Sequence, residues 1–228
     1  MQIKSVCVAL PRDVDDGSRS VSTGIFKQPV EGPVRVLDEH LEGDGQADRI
    51  HHGGADKAVY AYALEHYPWW ERELGRTGML HGQFGENLTI AGLDEERLCV
   101  GDQLAIGSAR FVVTQPRVPC FKLGLRFGDR SLPGRFAESL RTGMYLRVLD
   151  TGVLRAGERV ERIACGRGGV AIRPLFAAWL RPNDTGSRAW LERALQVPEL
   201  SRAWRESLEQ RLARRHVTRT TPDSGDSA

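Results

Sequence analysis

Cysteine is scarce in this chain: Cys7, Cys99, Cys120 and Cys165 are the only four in 228 residues. None forms a C-x-x-C pair, so zinc-knuckle and dithiol patterns are excluded and free thiols in a reducing compartment are expected. Long apolar runs are missing too. No stretch approaches the roughly eighteen uninterrupted apolar residues of a membrane span, and the opening MQIKSVCVALPRD is too short in apolar residues for a signal peptide. A cytoplasmic protein with no membrane partner is the expectation, and the N-x-T matches at Asn87 and Asn183 then carry no meaning. Neither sign of charge predominates: 32 Lys and Arg against 30 Asp and Glu leave +2, which gives no global pull on nucleic acid or anionic lipid. Without a Gly-Lys dipeptide there is no Walker A loop, and H-E-x-x-H is absent. The GRGG at 166–169 lacks the spacing and acidic residue of a dinucleotide fingerprint and reads as a linker. There is no flavin motif, iron–sulfur motif or internal repeat.

What remains is ordinary globular composition, 40% hydrophobic and 27% charged, so neither disorder nor a membrane class is indicated. The length suits one domain of about 150 residues with a small appendage, or two modest domains. Up to Ala164 the chain consists of short extended runs broken by Gly, Pro and Asp: IKSVCVAL, PVRVLDE, KAVYAYA, NLTIAG, DQLAIG, ARFVVTQ, MYLRVLD and ERVERIA. Such spacing predicts a mostly β domain over 1–163, a sandwich or barrel rather than a parallel α/β sheet. Two helices are expected within it, LEHYPWWEREL from Leu64 and RFAESLRT around Phe136. Residues 170–215 predict three short helices separated by RPNDTGS and QVPE, with Pro198 in the first turn of the last. Leu200, Trp204, Leu208 and Leu212 form one apolar stripe on that helix. From Ala164 onward eleven Arg face seven Asp or Glu with no Lys, and their even spread reads as solvated faces of a packing domain, with no nucleic-acid partner expected. The polar tail 216–228 is expected to be disordered.

Three stretches could carry chemistry. In VTQPRVPCFKLGLRF, residues 113–127, Cys120 follows Pro119 with Arg117 and Lys122 close by. If Pro119 opens a helical turn, the unpaired N–H groups and both cations favour a thiolate, the form that binds a soft metal. The alternation of Phe121, Leu123, Leu125 and Phe127 suits a strand instead, and a lone Cys is ordinarily a small buried hydrophobe. In DRIHHGGADKAVYAY, Gly53 and Gly54 after His51 and His52 allow a tight turn approaching a ligand, with Lys57 available to an anion; a surface turn explains the stretch equally well. In HGQFGENLTIAGL, Gly85, Glu86 and Asn87 stand at a strand mouth, where a capped hairpin turn is the alternative.

In order, LEGDGQADRIHHGGADKAVYAYALEHYPWW, FGENLTIAGLDEERLCVGDQLAIG and VTQPRVPCFKLGLRF resemble the MOSC domain proteins, named for the C-terminal domain of molybdenum cofactor sulfurase. Within that family the chain resembles the YiiM-type branch, with its C-terminal three-helix domain. The resemblance implies a MOSC β-barrel that binds the molybdenum cofactor, a pterin dithiolene bearing a phosphate. Cys120 then matches the protein ligand to molybdenum. His52, Gly53, Gly54, Glu86, Asn87 and Arg117 match other signature positions lining the pterin and phosphate, with Lys57 and Lys122 as nearby point charges. The implied activity is reduction of N-hydroxylated compounds, hydroxylaminopurines and amidoximes, to amines in a detoxifying role. His52 would act as proton donor and a separate reductase would supply the electrons. A homodimer through the aromatic helix near Trp70 or the Arg-rich C-terminal piece is a further possible partner. Rival readings are a Cys120 persulfide carrier or transferase, a non-catalytic anion- or nucleotide-binding module, and a Cys–His hydrolase without a nucleophile elbow.

Overall fold

Alternating burial organises the chain up to Ala164. In β1 (Gln2–Val8) Ile3 and Val6 are fully buried while Gln2 and Lys4 face solvent. The computed structural model describes residues 1–47 and 53–217. After β1 come the hairpin β2 (Arg12–Asp15) and β3 (Ser20–Thr23), then β4 (Gln28–Val30), β5 (Val34–Val36), β6 (Val59–Ala63), α1 (Tyr67–Leu74) and β7 (Leu88–Ala91). There follow β8 (Gln103–Ile106), β9 (Ala109–Pro116), α2 (Phe121–Phe127), α3 (Leu132–Glu138), β10 (Met144–Asp150), β11 (Gly152–Leu154) and β12 (Val160–Ala164). The final elements are α4 (Ile172–Leu180), α5 (Ser187–Leu195) and α6 (Arg202–Val217). The mostly β reading with a helical C-terminal piece therefore holds.

Eight strands form one sheet in the order β12-β8-β9-β10-β6-β7-β1-β4, antiparallel except for β6 beside β7. The sheet curls on itself. Ile3 N donates to Glu158 O at 2.9 Å and Val160 N to Met1 O at 2.9 Å, so β1 meets the approach to β12. All five residues of β6 are buried because each face has its own core. Val59, Ala61 and Ala63 enter the main aliphatic core, whereas Tyr60 and Tyr62 enter an aromatic cluster with Trp70, Phe84 and Phe136. Trp70 is wholly inside that cluster, stacked on Phe136 at 5.4 Å with its indole N–H donating to Tyr62 Oη at 2.8 Å, so its ring offers nothing to a second chain.

The C-terminal helices continue the main core. Ile172, Phe176, Leu191, Leu200, Trp204 and Leu208 cluster with Leu104, Phe111 and Val113 of the sheet. Buried Glu95 fastens the two pieces together: it accepts from Arg173 at 3.1 Å, meets His66 at 2.6 Å and accepts the Gly143 N–H. The GRGG linker is pinned, since Gly166 N donates to Asp102 Oδ1 at 2.7 Å and a Cβ there would lie 2.2 Å from Val100 O. Pro198 is not in the first turn of α6. Leu200 N closes a turn onto Val197 O, and the helix starts after Ser201, whose Oγ accepts from Trp204 N at 3.2 Å. The expected helix around Phe136 starts earlier, at Leu132, and ends at Glu138. The tail from 218 lies outside the described residues. No helix among the described residues is long and apolar enough to cross a membrane.

Candidate cofactor site around Cys120

β9 ends at Pro116, which cannot extend a ladder, and Arg117 N then donates to Gly143 O at 3.2 Å. Cys120 is extended, with φ −128° and ψ 172°, and its carbonyl accepts from Leu123 N at 3.0 Å to open α2. Helix, not strand, is thus the outcome for the alternating stretch. Phe121 is exposed while Leu123 and Phe127, four apart, are buried in the aromatic cluster; a strand would have put all of them on one face.

Arg117 is buried, its guanidinium 4.8 Å from the Tyr60 ring centroid and 5.2 Å from that of Phe136, with Nη1 3.5 Å from Tyr60 Oη. Burial works against its charge, yet Tyr60, Tyr145 and Cys120 together hold its pKa above the ordinary value. No carboxylate pairs with it among the described residues. A buried cation without a counter-ion is costly, and here it faces a cavity.

That cavity, about 110 Å³, is walled by Cys120, Arg117, Lys57, Lys122, Lys27, Tyr60, Tyr145, Asn87 and Asp44 with the backbones of Gly24, Gly45 and Gly85. Four cationic side chains face one carboxylate among its described lining. Close packing brings the glycine loops in: a Cβ on Gly24 would lie 2.7 Å from Gly45 O, and one on Gly85, at φ +82°, 2.8 Å from the Ile25 side chain. Lys27 and Asp44 form a buried ion pair, and burial lowers the Lys27 pKa while Asp44 opposes that shift. Cys120 is half-buried. By contrast burial pushes the Cys7 thiol up to about 12 and raises that of Cys99, so neither is a ready thiolate.

Cys120, Arg117, Lys57, Lys122 and Asn87 are therefore brought together. Asn87 is a clamp: Oδ1 accepts from Tyr60 N at 3.0 Å, while Nδ2 donates to Cys7 O at 3.2 Å and Asp44 Oδ2 at 2.9 Å. Glu86 is fully buried behind the wall, where it accepts from Gly82 N at 2.9 Å, Phe84 N at 3.1 Å, Thr89 Oγ1 at 3.0 Å and the Tyr67 hydroxyl. It shapes the Gly85 loop and does not line the cavity. Gly53 and Gly54 lead into the turn Ala55–Lys57 that delivers Lys57. Gly54, at φ 87° and ψ 172°, occupies a region open essentially to glycine alone, and its N–H donates to Gln46 Oε1 at 2.7 Å. His51 and His52 lie outside the described residues.

Sequence reasoning missed Lys27, Asp44, Gln46, Tyr145 and Asp56. Asp56 is paired with Arg147 at 2.5 Å and accepts from Arg202 N at 3.2 Å, tying the glycine turn to β10 and to the start of α6. Its place beside the paired glycines was the one available signal. A second cavity, about 240 Å³, shares Lys57, Cys120 and Tyr145 with the first and is closed by Gln115 and by Trp179, Trp204 and Ser207 of the C-terminal helices.

Comparison with known proteins places these features in a family. The model for the MOSC domain matches residues 48–161, and that for the YiiM-like, 3-alpha helix domain matches 183–215. Protein YflK of Bacillus subtilis (strain 168) is 38% identical over 90% of this chain and 91% of its own length. The crystal structure of YiiM from Geobacillus stearothermophilus superposes with a TM-score of 0.78 at 34% identity, covering 92% of this chain and 98% of that one. A protein of Gibberella moniliformis (strain M3125 / FGSC 7600) named as a reductase is 35% identical over 62% of this chain, which spans 26% of its length.

Proposed function

This chain belongs to the MOSC domain family and carries the YiiM-like three-helix domain, and on that footing we propose that it is an oxidoreductase that binds the molybdenum cofactor and reduces N-hydroxylated compounds to amines. The observation that carries the reading is Arg117, a buried guanidinium with no carboxylate partner among the described residues, in one cavity with the half-buried thiol of Cys120. An anionic group bearing a soft metal satisfies both.

The donor set fits that group. Among the described residues no three His, Cys, Asp or Glu converge on one point. Cys120 is the proposed metal ligand, and Arg117, with Lys57 and Lys122, would offer a planar fork and two point charges to an anionic cofactor. Asn87 keeps the Tyr60 backbone and Asp44 in place beneath it, and Glu86 holds the loop that presents Gly85. When bound, the cofactor supplies the two-electron redox chemistry. Overall, the N–O bond breaks, an N–H bond forms and water leaves, with two protons and two electrons consumed; a separate reductase delivers the electrons. His52 is the proposed proton donor, imidazole being the side chain type best suited to exchange a proton near neutral pH.

The test is metal and pterin analysis of protein made in cells competent for molybdenum cofactor synthesis, on wild type and the variants Cys120→Ser and Cys120→Ala. Wild type should carry both metal and pterin and reduce an amidoxime with an artificial reductant. The variants should fold as wild type does yet lose metal-dependent turnover. Full activity in Cys120→Ala overturns the ligand role, and a metal-free protein accumulating a Cys120 persulfide replaces reduction by sulfur transfer.

A further inference from the structure

Lys57 lines both cavities, and the residue before it is held from three directions. The Asp56 carboxylate accepts from Arg147 Nε at 2.7 Å and Nη2 at 2.5 Å and from Arg202 N at 3.2 Å, while the Asp56 carbonyl accepts from Thr114 Oγ1 at 2.7 Å. Those partners belong to β10, α6 and β9. In the turn itself Lys57 N donates to Gly54 O at 3.0 Å, and the Lys57 carbonyl accepts from Gln46 Nε2 at 3.4 Å. A single turn of three residues is marginal alone, so these outside contacts fix its direction.

Two of the groups that hold Asp56 also hold the chain entering the helical piece. Arg147 Nη2 donates to Glu199 O at 3.4 Å, and Thr114 O accepts from Ser201 N at 3.3 Å. The seam between the sheet and α6 thus lies one residue from a cation of the site. As a charge, Asp56 opposes an anion near Lys57, because like charges repel. Its contribution to anion binding is therefore geometric.

We propose that Asp56 is a positioning residue for Lys57, and that the three-helix domain, through the Arg202 N–H, sets the affinity of the cavity around Cys120 for a phosphate-type anion. This rests on the anion-binding part of the reading above and on neither the metal nor the reduction. Asp56 touches no ligand; it acts through Lys57.

The probe is inorganic phosphate, titrated calorimetrically into the full-length chain made in cells unable to synthesise the cofactor. Lys57→Ala should weaken the phosphate Kd about tenfold. Asp56→Ala should weaken it about fivefold, opposite in sign to the effect of removing a negative charge, and should add less than about twofold when combined with Lys57→Ala. Position 202 isolates the helical contribution. Arg202 is the first residue of α6, where proline is tolerated, so Arg202→Pro deletes the N–H and leaves the helix, whereas Arg202→Ala removes an exposed side chain and keeps the N–H. The proline variant should weaken phosphate about fourfold and the alanine variant less than about twofold.

No phosphate binding by wild type, unchanged or tighter binding in Asp56→Ala, or an equal loss with and without Lys57 overturns the positioning role. Equal affinities in the two Arg202 variants overturn the part given to the helices. Should Asp56→Ala fail to fold, Arg202→Pro in the wild-type and Lys57→Ala backgrounds decides. Protein that never acquires molybdenum yet shows the Asp56 and Lys57 dependence overturns the reductase reading and keeps this one. Molybdenum-dependent turnover, with Asp56→Ala binding phosphate as wild type does, has the reverse effect.

Discussion

A lysine ammonium moved out of water loses several kilocalories of solvation, and Lys27 regains them from the Asp44 carboxylate. Asp44 in turn accepts from Ala9 N at 2.9 Å and from Asn87, so one buried charge pair couples the Lys27 loop, the Gly45 loop and the start of β7. Asp44→Asn leaves the cation buried and uncompensated, and should destabilise the fold by about 3–5 kcal/mol at pH 7. The sign of the pH dependence follows. Burial already lowers the Lys27 pKa from 10.5, and losing Asp44 lowers it further, while the unfolded lysine keeps its proton up to its ordinary value. Between those limits the unfolded state binds more protons, so the variant should regain stability relative to wild type as pH rises towards 10.5. Urea midpoints of both proteins at neutral and alkaline pH check this, and a variant within about 0.5 kcal/mol of wild type at pH 7 rules it out. This pair was not legible in the sequence, because Lys27 and Asp44 sit in aperiodic loops and become buried only through segments distant in the chain. Arg117, Cys120 and Lys122 were legible as a group because six positions of one chain segment place them there.

At the scale of elements, the alternation of Phe121, Leu123, Leu125 and Phe127 misleads because a seven-residue stretch satisfies both periods. Its neighbours decide the matter. Pro116 and Pro119 cannot donate to a ladder, and Gly128, at φ 69°, provides a left-handed helix stop whose N–H reaches Gly124 O. The eight strand runs were readable from alternation, but β2, β3, β4 and β11 were not, being short with one or two aliphatic residues each. Helix α6 shows how a terminus can be set from far away: Ser201 Oγ takes Trp204 N, and Asp56, from the glycine turn, takes Arg202 N. Ser201→Ala should cost about 1 kcal/mol as a lost cap. Asp56→Ala should cost more, up to about 3 kcal/mol, because the carboxylate also binds Arg147. Thermal unfolding ranks the two, and an Asp56→Ala midpoint no lower than that of Ser201→Ala contradicts the anchoring role.

Over the whole molecule, the change of composition after CGRGG suggests two separately packed pieces, whereas the side chains form one interior. Phe176, Leu200, Trp204 and Leu208 pack in the same cluster as Phe111 and Val113, Glu95 of the β portion binds Arg173 of α4, and Ser201 N donates to Thr114 O at 3.3 Å. Composition reports which residues are helical, not which surfaces they cover, so this continuity could not be read from the sequence. A shared core predicts shared cooperativity, since unfolding the helices alone would expose the sheet face they cover. In urea the barrel and the helices should therefore unfold in a single transition. Mean-residue ellipticity at 222 nm, weighted to the helices, and fluorescence from a variant keeping only Trp70, buried in the aromatic cluster of the β portion, should give coincident curves. Two separated midpoints, with ellipticity lost before the Trp70 signal, would show that the helices are an independent module and that the second cavity opens before the first.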